Sequence, residues 1–502
     1  MTRARTSLFA FLSLVLLLEF LGTSAVVGSS QRARRTKRPD AWRKHPPKSD
    51  APRPFTLPAV RETRLENGLT ILFVEDHRSP IVTILIGMPP ASAPSGGIAE
   101  LTNQMALSEA AAELITEGAG SRTSEQVARE VETLGGRLSS SANDDYAEVS
   151  LSVVAENAER MMDLLGDVLL RPTFPESEVA LYKRNRIQTL VVQRQDPAFL
   201  AGEQFDRIVF GSHPYGISAP TPASIDALDR EKIAQFYRSN FGPGGSVAII
   251  VGDFDASRME AKAREVLGRW ETQKKVSTYI GPNHFPRATE RRVYLVNRPA
   301  SEQADFRIGT LAVKRSSADY FPLLVANSIL GAGTGSRLFL NIRERKGYAY
   351  DVYSSVGALR EAGSFFGGAE TRTEVTARAI REMLAEFNRL GAVKVGPREL
   401  QGAKNYLNGL FSLSLSTQGG VADRIMQSHM LDLGSDYLEG YRSRIESVTA
   451  EQVQEAARKY ILSDRPAIVV VGDASKLAKD LRTIGPVEVL DVEGKPLKQS
   501  AP

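Results

Sequence analysis

Residues 247–253 read VAIIVGD and residues 467–473 read AIVVVGD, and this repeated stretch decides the fold. Each copy is an apolar, β-branched run that predicts a buried strand. Each copy also follows an amphipathic helix and a proline turn, and each precedes a second helical stretch. Because the same elements recur in the same order, the sequence predicts two homologous halves.

The boundaries of the halves follow from the composition around the repeats. From about Phe55 the composition is typical of a globular domain, and a stretch rich in proline and basic residues lies at residues 281–292. We therefore predict an amino-terminal domain over residues 55–285 and a carboxyl-terminal domain over residues 286–495. Strands and helices occur in mixed runs without regular βαβ alternation, which favours the α+β class.

Local signals predict several elements of the first half. Asn67-Gly68 marks a turn before a strand, and Thr123-Ser124-Glu125-Gln126 is a capping box that begins a helix. The hydrophobic periodicity predicts strands at residues 69–74, 82–86 and 146–153 and helices at residues 157–170 and 176–193.

The composition limits the classes of function. The chain has 502 residues, is 42% hydrophobic and carries a net charge of +4, which is too small to indicate a nucleic-acid partner. It contains no cysteine, which excludes disulfides, cysteine nucleophiles and thiolate metal sites. Five histidines leave few imidazoles for a metal.

The amino terminus has the three parts of an export signal. Arg3 and Arg5 precede an apolar run from Leu8 to Leu21, and the small residues Thr23-Ser24-Ala25 follow. A membrane anchor is the alternative, but the run is shorter than the ~20 residues that a spanning helix needs. We predict a signal peptide over residues 1–25 and therefore a periplasmic or extracellular location.

The next segment, residues 26–54, is predicted to be a disordered linker. Residues 32–54 read RARRTKRPDAWRKHPPKSDAPRP and have almost no apolar content, so they cannot bury a core. The segment is either a solvated linker or an electrostatic tether to anionic lipid or cell-envelope polymer, which would make a peripheral envelope contact.

Longer motifs identify a family. The most specific one is residues 327–355, NSILGAGTGSRLFLNIRERKGYAYDVYSS, and three others are NGLTILFVEDHRSP at 67–80, PTFPESEV at 172–179 and NFGPGGSVAIIVGDFD at 240–255. Together they resemble the pitrilysin/insulinase metallopeptidases over nearly all of the chain after Phe55. The resemblance implies two α/β-roll halves in a clam-like assembly.

The zinc motif of that family is missing here. Active members carry His-x-x-Glu-His on a first-half helix, with two imidazoles as zinc ligands and the glutamate as general base. Two registers are open for this chain, and they place Glu100, Asn103 and Gln104, or Glu109, Ala112 and Glu113, at the motif positions. Neither contains histidine, and residues 185–189, where the resemblance expects a third ligand, lack glutamate.

No other metal site replaces the motif in the sequence. No two of the histidines, His45, His77, His213, His284 and His429, lie at helical spacing. Glu109 and Glu113 are one turn apart, but two carboxylates without imidazole form a poor zinc site. We interpret them as a solvated helix face and His213 as part of a loop, and we expect no cofactor in this chain.

The family's second catalytic element is present. The resemblance implies that Arg343 and Tyr350 approach the scissile carbonyl of a bound peptide, opposite the zinc. A guanidinium and a phenol can stabilise the negative charge that grows there. Without the family's register, the sequence favours Arg343 as a helix-surface residue and Tyr350 as a strand aromatic. Tyr348 and Tyr353 are expected to pack nearby or line the groove.

Three glycines precede this pair. Gly331, Gly333 and Gly335 lack the Lys-Ser/Thr that follows in a phosphate-binding loop. We predict instead that they form a flexible segment at the edge of a peptide-binding chamber, where glycine allows close backbone approach.

Two functions remain open from the sequence. In the first, the chain is the subunit without zinc in a peptidase heteromer, and a zinc-bearing paralogous subunit supplies the metal and the base. In the second, it is an inactive peptide-binding or scaffold protein of the cell envelope. A peptide is the expected ligand in the peptidase and peptide-binding roles, and none of the roles requires nucleic acid.

Overall fold

The computed structural model describes residues 58–89, 97–271, 285–286, 290–461 and 465–497. The predicted signal peptide, the predicted basic linker, His45 and His284 lie outside these residues. All described residues belong to one compact unit, Thr56–Pro502.

Six strands of the first half form one sheet. Their bounds are β1 Arg61–Arg64, β2 Thr70–Glu75, β3 Ile81–Met88, β4 Gly136–Ala142, β5 Ala147–Val154 and β6 Val247–Gly252. The order is β1-β2-β6-β3-β5-β4, so the first copy of the repeated strand, β6, lies inside the sheet. β6 runs parallel to β2 and antiparallel to β3, and all of its residues are buried.

Six further strands form a second sheet of the same design. Their bounds are β7 Arg292–Asn297, β8 Gln303–Ala312, β9 Ala349–Ala358, β10 Gly363–Arg372, β11 Ala467–Gly472 and β12 Val487–Leu490. The order β12-β7-β11-β8-β10-β9 places the second copy, β11, where β6 lies in the first sheet. Like β6, β11 is fully buried, with one parallel and one antiparallel neighbour.

Helices cover both sheets. Their bounds are α1 Ile98–Glu113, α2 Ser124–Thr133, α3 Ala158–Leu170, α4 Glu176–Gln193, α5 Pro197–Phe210, α6 Pro222–Asp226, α7 Arg230–Asn240, α8 Ala256–Leu267, α9 Tyr320–Gly331, α10 Thr376–Ala392, α11 Pro397–Ser414, α12 Gln418–Met430, α13 Tyr437–Ser447, α14 Ala450–Ala456 and α15 Ala474–Leu481. Short π-helices occupy Phe339–Arg345 and Ala457–Ile461. Within the described ranges, no helix has the length and apolarity required to cross a membrane.

The two halves exchange one helix each. α5, from the first half, packs on β8 and β11 of the second sheet, and α12, from the second half, packs on β3 and β6 of the first sheet. On α12, the buried Met426 lies against Gly87 of β3, where an added Cβ would come within 2.4 Å of its sulfur. Each sheet therefore completes its core with a helix from the other half.

The predicted α+β class and the local elements are confirmed. The helix predicted over residues 176–193 has those bounds as α4, and the strand predicted at 146–153 is β5. The capping box is present because the Thr123 side chain accepts from the Gln126 N–H and the Gln126 side chain accepts from the Thr123 N–H.

Candidate functional site

Arg343 and Tyr350 lie in direct contact. The Arg343 guanidinium carbon is 4.6 Å from the Tyr350 ring centre and 4.6 Å from that of Phe339, so two aromatic rings hold it. In the described part of the chain its nitrogens make no hydrogen bond, and the nearest carboxylate oxygen, of Glu344, is 3.6 Å from Nε. The guanidinium is therefore oriented by aromatic contacts while its N–H donors remain available.

The local backbone explains this orientation. Arg343 lies in the π-helix Phe339–Arg345, a form that often marks functional sites. Tyr350 lies in a β-bulge of the edge strand β9, because two residues of β9 oppose the single residue Glu370 of β10. A bulge re-aims the side chains of a strand, and Tyr350 is 83% exposed.

Two polar anchors fix the segment that carries Arg343. The buried Asn341 donates from Nδ2 to Glu386 of α10 at 3.0 Å. Arg337 donates to both carboxylate oxygens of Glu399 on α11, each at 2.7 Å. These contacts attach the π-helix to two long helices, so the position of Arg343 is set by the frame of the second half.

The three glycines occupy different environments. Gly331 is buried, and an added Cβ would come within 2.3 Å of the Ser354 nitrogen, so glycine serves close packing there. Gly333 has a φ of 97°, which favours glycine. Gly335 has open space around its Cα. The loop thus passes from a packed end to an open end before the π-helix.

The side chains predicted nearby pack on the second half. Tyr348 lies under Arg378, whose guanidinium carbon is 5.2 Å from the ring centre. Tyr353 contacts Phe366 edge to face at 5.9 Å.

His213 is buried in the loop after α5, and desolvation lowers its pKa to about 4.

An ion pair involves Glu109, the first position of one of the two registers in which the sequence can be aligned with the zinc motif. Arg186 of α4 donates from Nε and Nη2 to the two carboxylate oxygens of Glu109 on α1, at 3.0 and 3.2 Å. The exposed fractions of the two side chains are 15% and 17%. The expectation of a solvated helix face is therefore wrong for Glu109, because α4 covers it.

This contact also favours one of the two registers. Arg186 lies in residues 185–189, the region of the expected third ligand, and it meets Glu109, the first motif position of the second register. Glu113, one turn later, is exposed as expected, although partial desolvation and then the charge of Glu109 raise its pKa. The corresponding helix face thus holds Glu109, Ala112 and Glu113.

The donor set at this face does not fit zinc. It offers two carboxylates and no imidazole, and a guanidinium already satisfies one of them. Across the described ranges, no group of three or more histidine, cysteine, aspartate or glutamate side chains could hold a metal ion. The sequence does not reveal the pairing of Glu109 with Arg186, because their separation of 77 residues leaves no local pattern.

The sequence matches two family models of peptidase domains. The model for "Insulinase (Peptidase family M16)" matches residues 93–216, and the model for "Peptidase M16 inactive domain" matches residues 227–407. An uncharacterized zinc protease of Streptomyces coelicolor is 25% identical over 366 residues, 72% of this chain and 79% of that protein. The uncharacterized zinc protease YmxG of Bacillus subtilis is 22% identical over 411 residues, 81% and 96% of the two chains.

Solved structures share the fold. A peptidase M16 inactive domain from Pseudomonas fluorescens superposes with a TM-score of 0.75 at 24% identity, covering 82% of this chain and 98% of that chain. A protease from Helicobacter pylori gives a TM-score of 0.76 at 15% identity, covering 83% and 100%.

Proposed function

Because this chain belongs to the insulinase family of M16 peptidases, we propose that it is the subunit without zinc in a heteromeric peptidase. In this proposal Arg343 and Tyr350 contact a peptide whose scissile bond lies at the zinc site of a paralogous partner. The observation that carries it is the contact between the partly exposed Arg343, which has unused N–H donors, and the exposed Tyr350. The helix face that aligns with the zinc motif holds instead the Glu109–Arg186 ion pair.

The chemistry suits transition-state stabilisation. Hydrolysis of a peptide bond places negative charge on the carbonyl oxygen, and preorganised donors that meet this charge lower the barrier. Arg343 supplies a fixed positive charge and several N–H donors, and Tyr350 supplies one O–H donor. The partner's zinc would activate water and polarise the carbonyl.

A scaffold or peptide-binding role is the second candidate. The Glu109–Arg186 pair favours it, because an ion pair at the motif face serves stability without any metal. In either role we propose that the chain is exported and that the basic segment at residues 26–54 can contact the envelope.

Turnover by the assembled complex separates the two roles. The chain is co-expressed with a His-x-x-Glu-His paralogue from the same genome, and hydrolysis of a quenched fluorescent peptide is measured after co-purification. Arg343→Ala is expected to lower turnover by ~10²–10³-fold, the size found for single oxyanion donors. Tyr350→Phe is expected to cost less, since it removes one hydroxyl and keeps the ring that holds Arg343.

The matched control is Arg345→Ala, which removes an exposed arginine from the same π-helix. It should leave turnover unchanged, and all three variants should co-purify with the paralogue. If Arg343→Ala has no effect in an assembled complex, the split-site role is wrong. The scaffold role then accounts better for the chain.

A further inference from the structure

A cavity of about 370 Å³ opens on the second half, away from the ion pair and the Arg343–Tyr350 pair. Arg315, in the loop after β8, and Phe321 of α9 form one side of it. Tyr437 and Arg444 of α13 and Gln452 of α14 form another. Its volume lies in the range of small-molecule sites.

The charges around this cavity do not balance. Arg444 pairs with Asp436, with 2.5 Å between Nη2 and the carboxylate. Asp432, the carboxylate of the cavity wall, pairs instead with Arg360 at 2.9 Å. Arg315 has no carboxylate within ion-pair distance in the part of the chain that the structure describes. One guanidinium charge at the wall is therefore left without a counter-charge.

Aromatic side chains hold Arg315 in this position. Its guanidinium carbon is 4.2 Å from the Tyr320 ring centre and 5.7 Å from that of Tyr437, and its Nη1 donates to the Tyr320 hydroxyl. Arg444 approaches the same Tyr437 ring at 5.3 Å. Two guanidinium groups thus share one aromatic ring, while only one of them has an acidic partner.

Polar atoms at the same place also lack well-aligned partners, although the Arg315 and Tyr437 side chains lie within hydrogen-bond reach of each other. The Arg315 Nε and the Tyr437 hydroxyl are both buried, and neither forms a well-aligned hydrogen bond within the described residues. A buried charge or donor without a partner is costly, and native proteins normally satisfy such groups. An oxyanion in the cavity would supply the missing charge, and guanidinium is the side chain best matched to carboxylate and phosphate.

We propose that this cavity binds a small molecule through a carboxylate or phosphate group, with Arg315 as the charge partner of that group. Phe321 and Tyr437 contribute apolar wall beside it, which suits a ligand that has an apolar part next to its oxyanion. This site is independent of the proposed peptidase role, because it uses none of the residues assigned to that role.

Calorimetric titration of the purified full chain tests the proposal. Inorganic phosphate and benzoate are the two probes, and sodium chloride keeps the ionic strength constant. We expect saturable one-to-one binding of at least one probe, and the probe that binds more tightly shows whether the site takes phosphate or carboxylate. Arg315→Gln should weaken that binding by about 10- to 100-fold, since it removes a charged hydrogen-bond donor.

Arg444→Gln is the matched control, because it removes the same charge from the same cavity but from a residue that Asp436 already neutralises. It should weaken binding far less than Arg315→Gln. If Arg315→Gln does not fold, Arg315→Lys keeps the charge, loses the planar donor pair and should still lower affinity measurably. Absence of saturable binding by both probes, or equal losses in the two glutamine variants, would overturn the proposal.

Discussion

Arg343, Arg186 and Arg315 are the same residue type, but each has different partners. Arg343 lies between aromatic rings with its donors unused, Arg186 is neutralised by Glu109, and Arg315 is held by tyrosines without an anion. The first arrangement suits contact with a substrate, the second suits stability, and the third suits binding of a small anion. The residue type alone would not separate these roles.

The Arg186–Glu109 pair makes a testable contribution to stability. Arg186→Met leaves the Glu109 carboxylate largely covered and without its two hydrogen bonds. We expect the free energy of unfolding to fall by about 1–3 kcal/mol, the cost of leaving such a group unsatisfied. Adding Glu109→Gln should recover part of that loss, because it removes the charge that Arg186 had compensated.

Urea denaturation of the single and double variants measures both effects in a double-mutant cycle. Arg184→Met is the control, since Arg184 is an exposed residue of the same helix. It should change the free energy of unfolding by no more than about 0.5 kcal/mol. Equal losses for Arg184→Met and Arg186→Met would show that the ion pair contributes nothing specific.

The sequence motif identifies Arg343 and Tyr350 but contains no signal for Arg186. The first two lie in one continuous motif, whose spacing is visible in the chain. Glu109 of α1 and Arg186 of α4 lie 77 residues apart in the chain, and only the tertiary fold brings their side chains together. The same limit applies to Arg315, because its missing counter-charge is a property of its surroundings.

At the scale of elements, local periodicity predicts strands and helices but not the sheet on which a helix packs. α5 and α12 are ordinary amphipathic helices in sequence, and nothing local indicates that each covers the sheet of the other half. The bulge in β9 and the π-helix before it are likewise irregularities that a regular pattern cannot predict. These features nevertheless determine how Tyr350 and Arg343 are presented.

The exchanged helices should couple the two sheets. Met426 of α12 and Phe205 of α5 are fully buried against the first and second sheets, respectively. Met426→Ala is expected to lower the free energy of unfolding by about 2–5 kcal/mol and Phe205→Ala by about 3–5 kcal/mol. Leu413→Ala, at a side chain that is 68% exposed, should cost little.

Two spectroscopic probes of unfolding test whether the two sheets unfold together. Trp270 is buried in the core of the first half, so its fluorescence reports that half once Trp42 is replaced by phenylalanine. In the Phe205→Ala variant, Trp270 fluorescence and far-ultraviolet circular dichroism should shift together to lower urea. Separate transitions would mean that the sheets unfold independently despite the exchange.

At the scale of the whole molecule, both halves contribute carboxylates with raised pKa values. Burial raises the pKa of Asp206 to about 6 and that of Asp305 to about 7. Burial, and then the charge of Asp423 on α12, raises the pKa of Glu148 on β5 to about 7. Glu148 and Asp423 come from different halves, so their repulsion acts across the contact between them.

The stability of the chain should therefore fall as the pH rises from about 4, the ordinary carboxyl pKa, to about 7, the raised pKa of Glu148 and Asp305. A carboxyl group whose pKa is raised in the folded state binds its proton more tightly there than in the unfolded chain. Its contribution to stability is therefore complete below the unfolded pKa, and it is lost as the pH rises through the folded pKa. His213 acts in the opposite direction, but only between about pH 4 and its ordinary pKa of 6.5. It therefore offsets only part of the loss from the three carboxyl groups, Asp206, Asp305 and Glu148.

Glu148→Gln isolates the contribution between the halves. The variant removes a partly buried group that must ionise near Asp423 at high pH, so it should raise the free energy of unfolding at pH 8 relative to the unmodified chain. At pH 5.5, where Glu148 is already protonated in the folded state, the gain should be smaller. Urea denaturation at both values measures the difference, and Glu156→Gln, at an exposed glutamate just after β5, is the control and should show no such pH dependence. A gain at pH 8 no larger than at pH 5.5 would show that repulsion across this contact does not limit the stability of the folded chain.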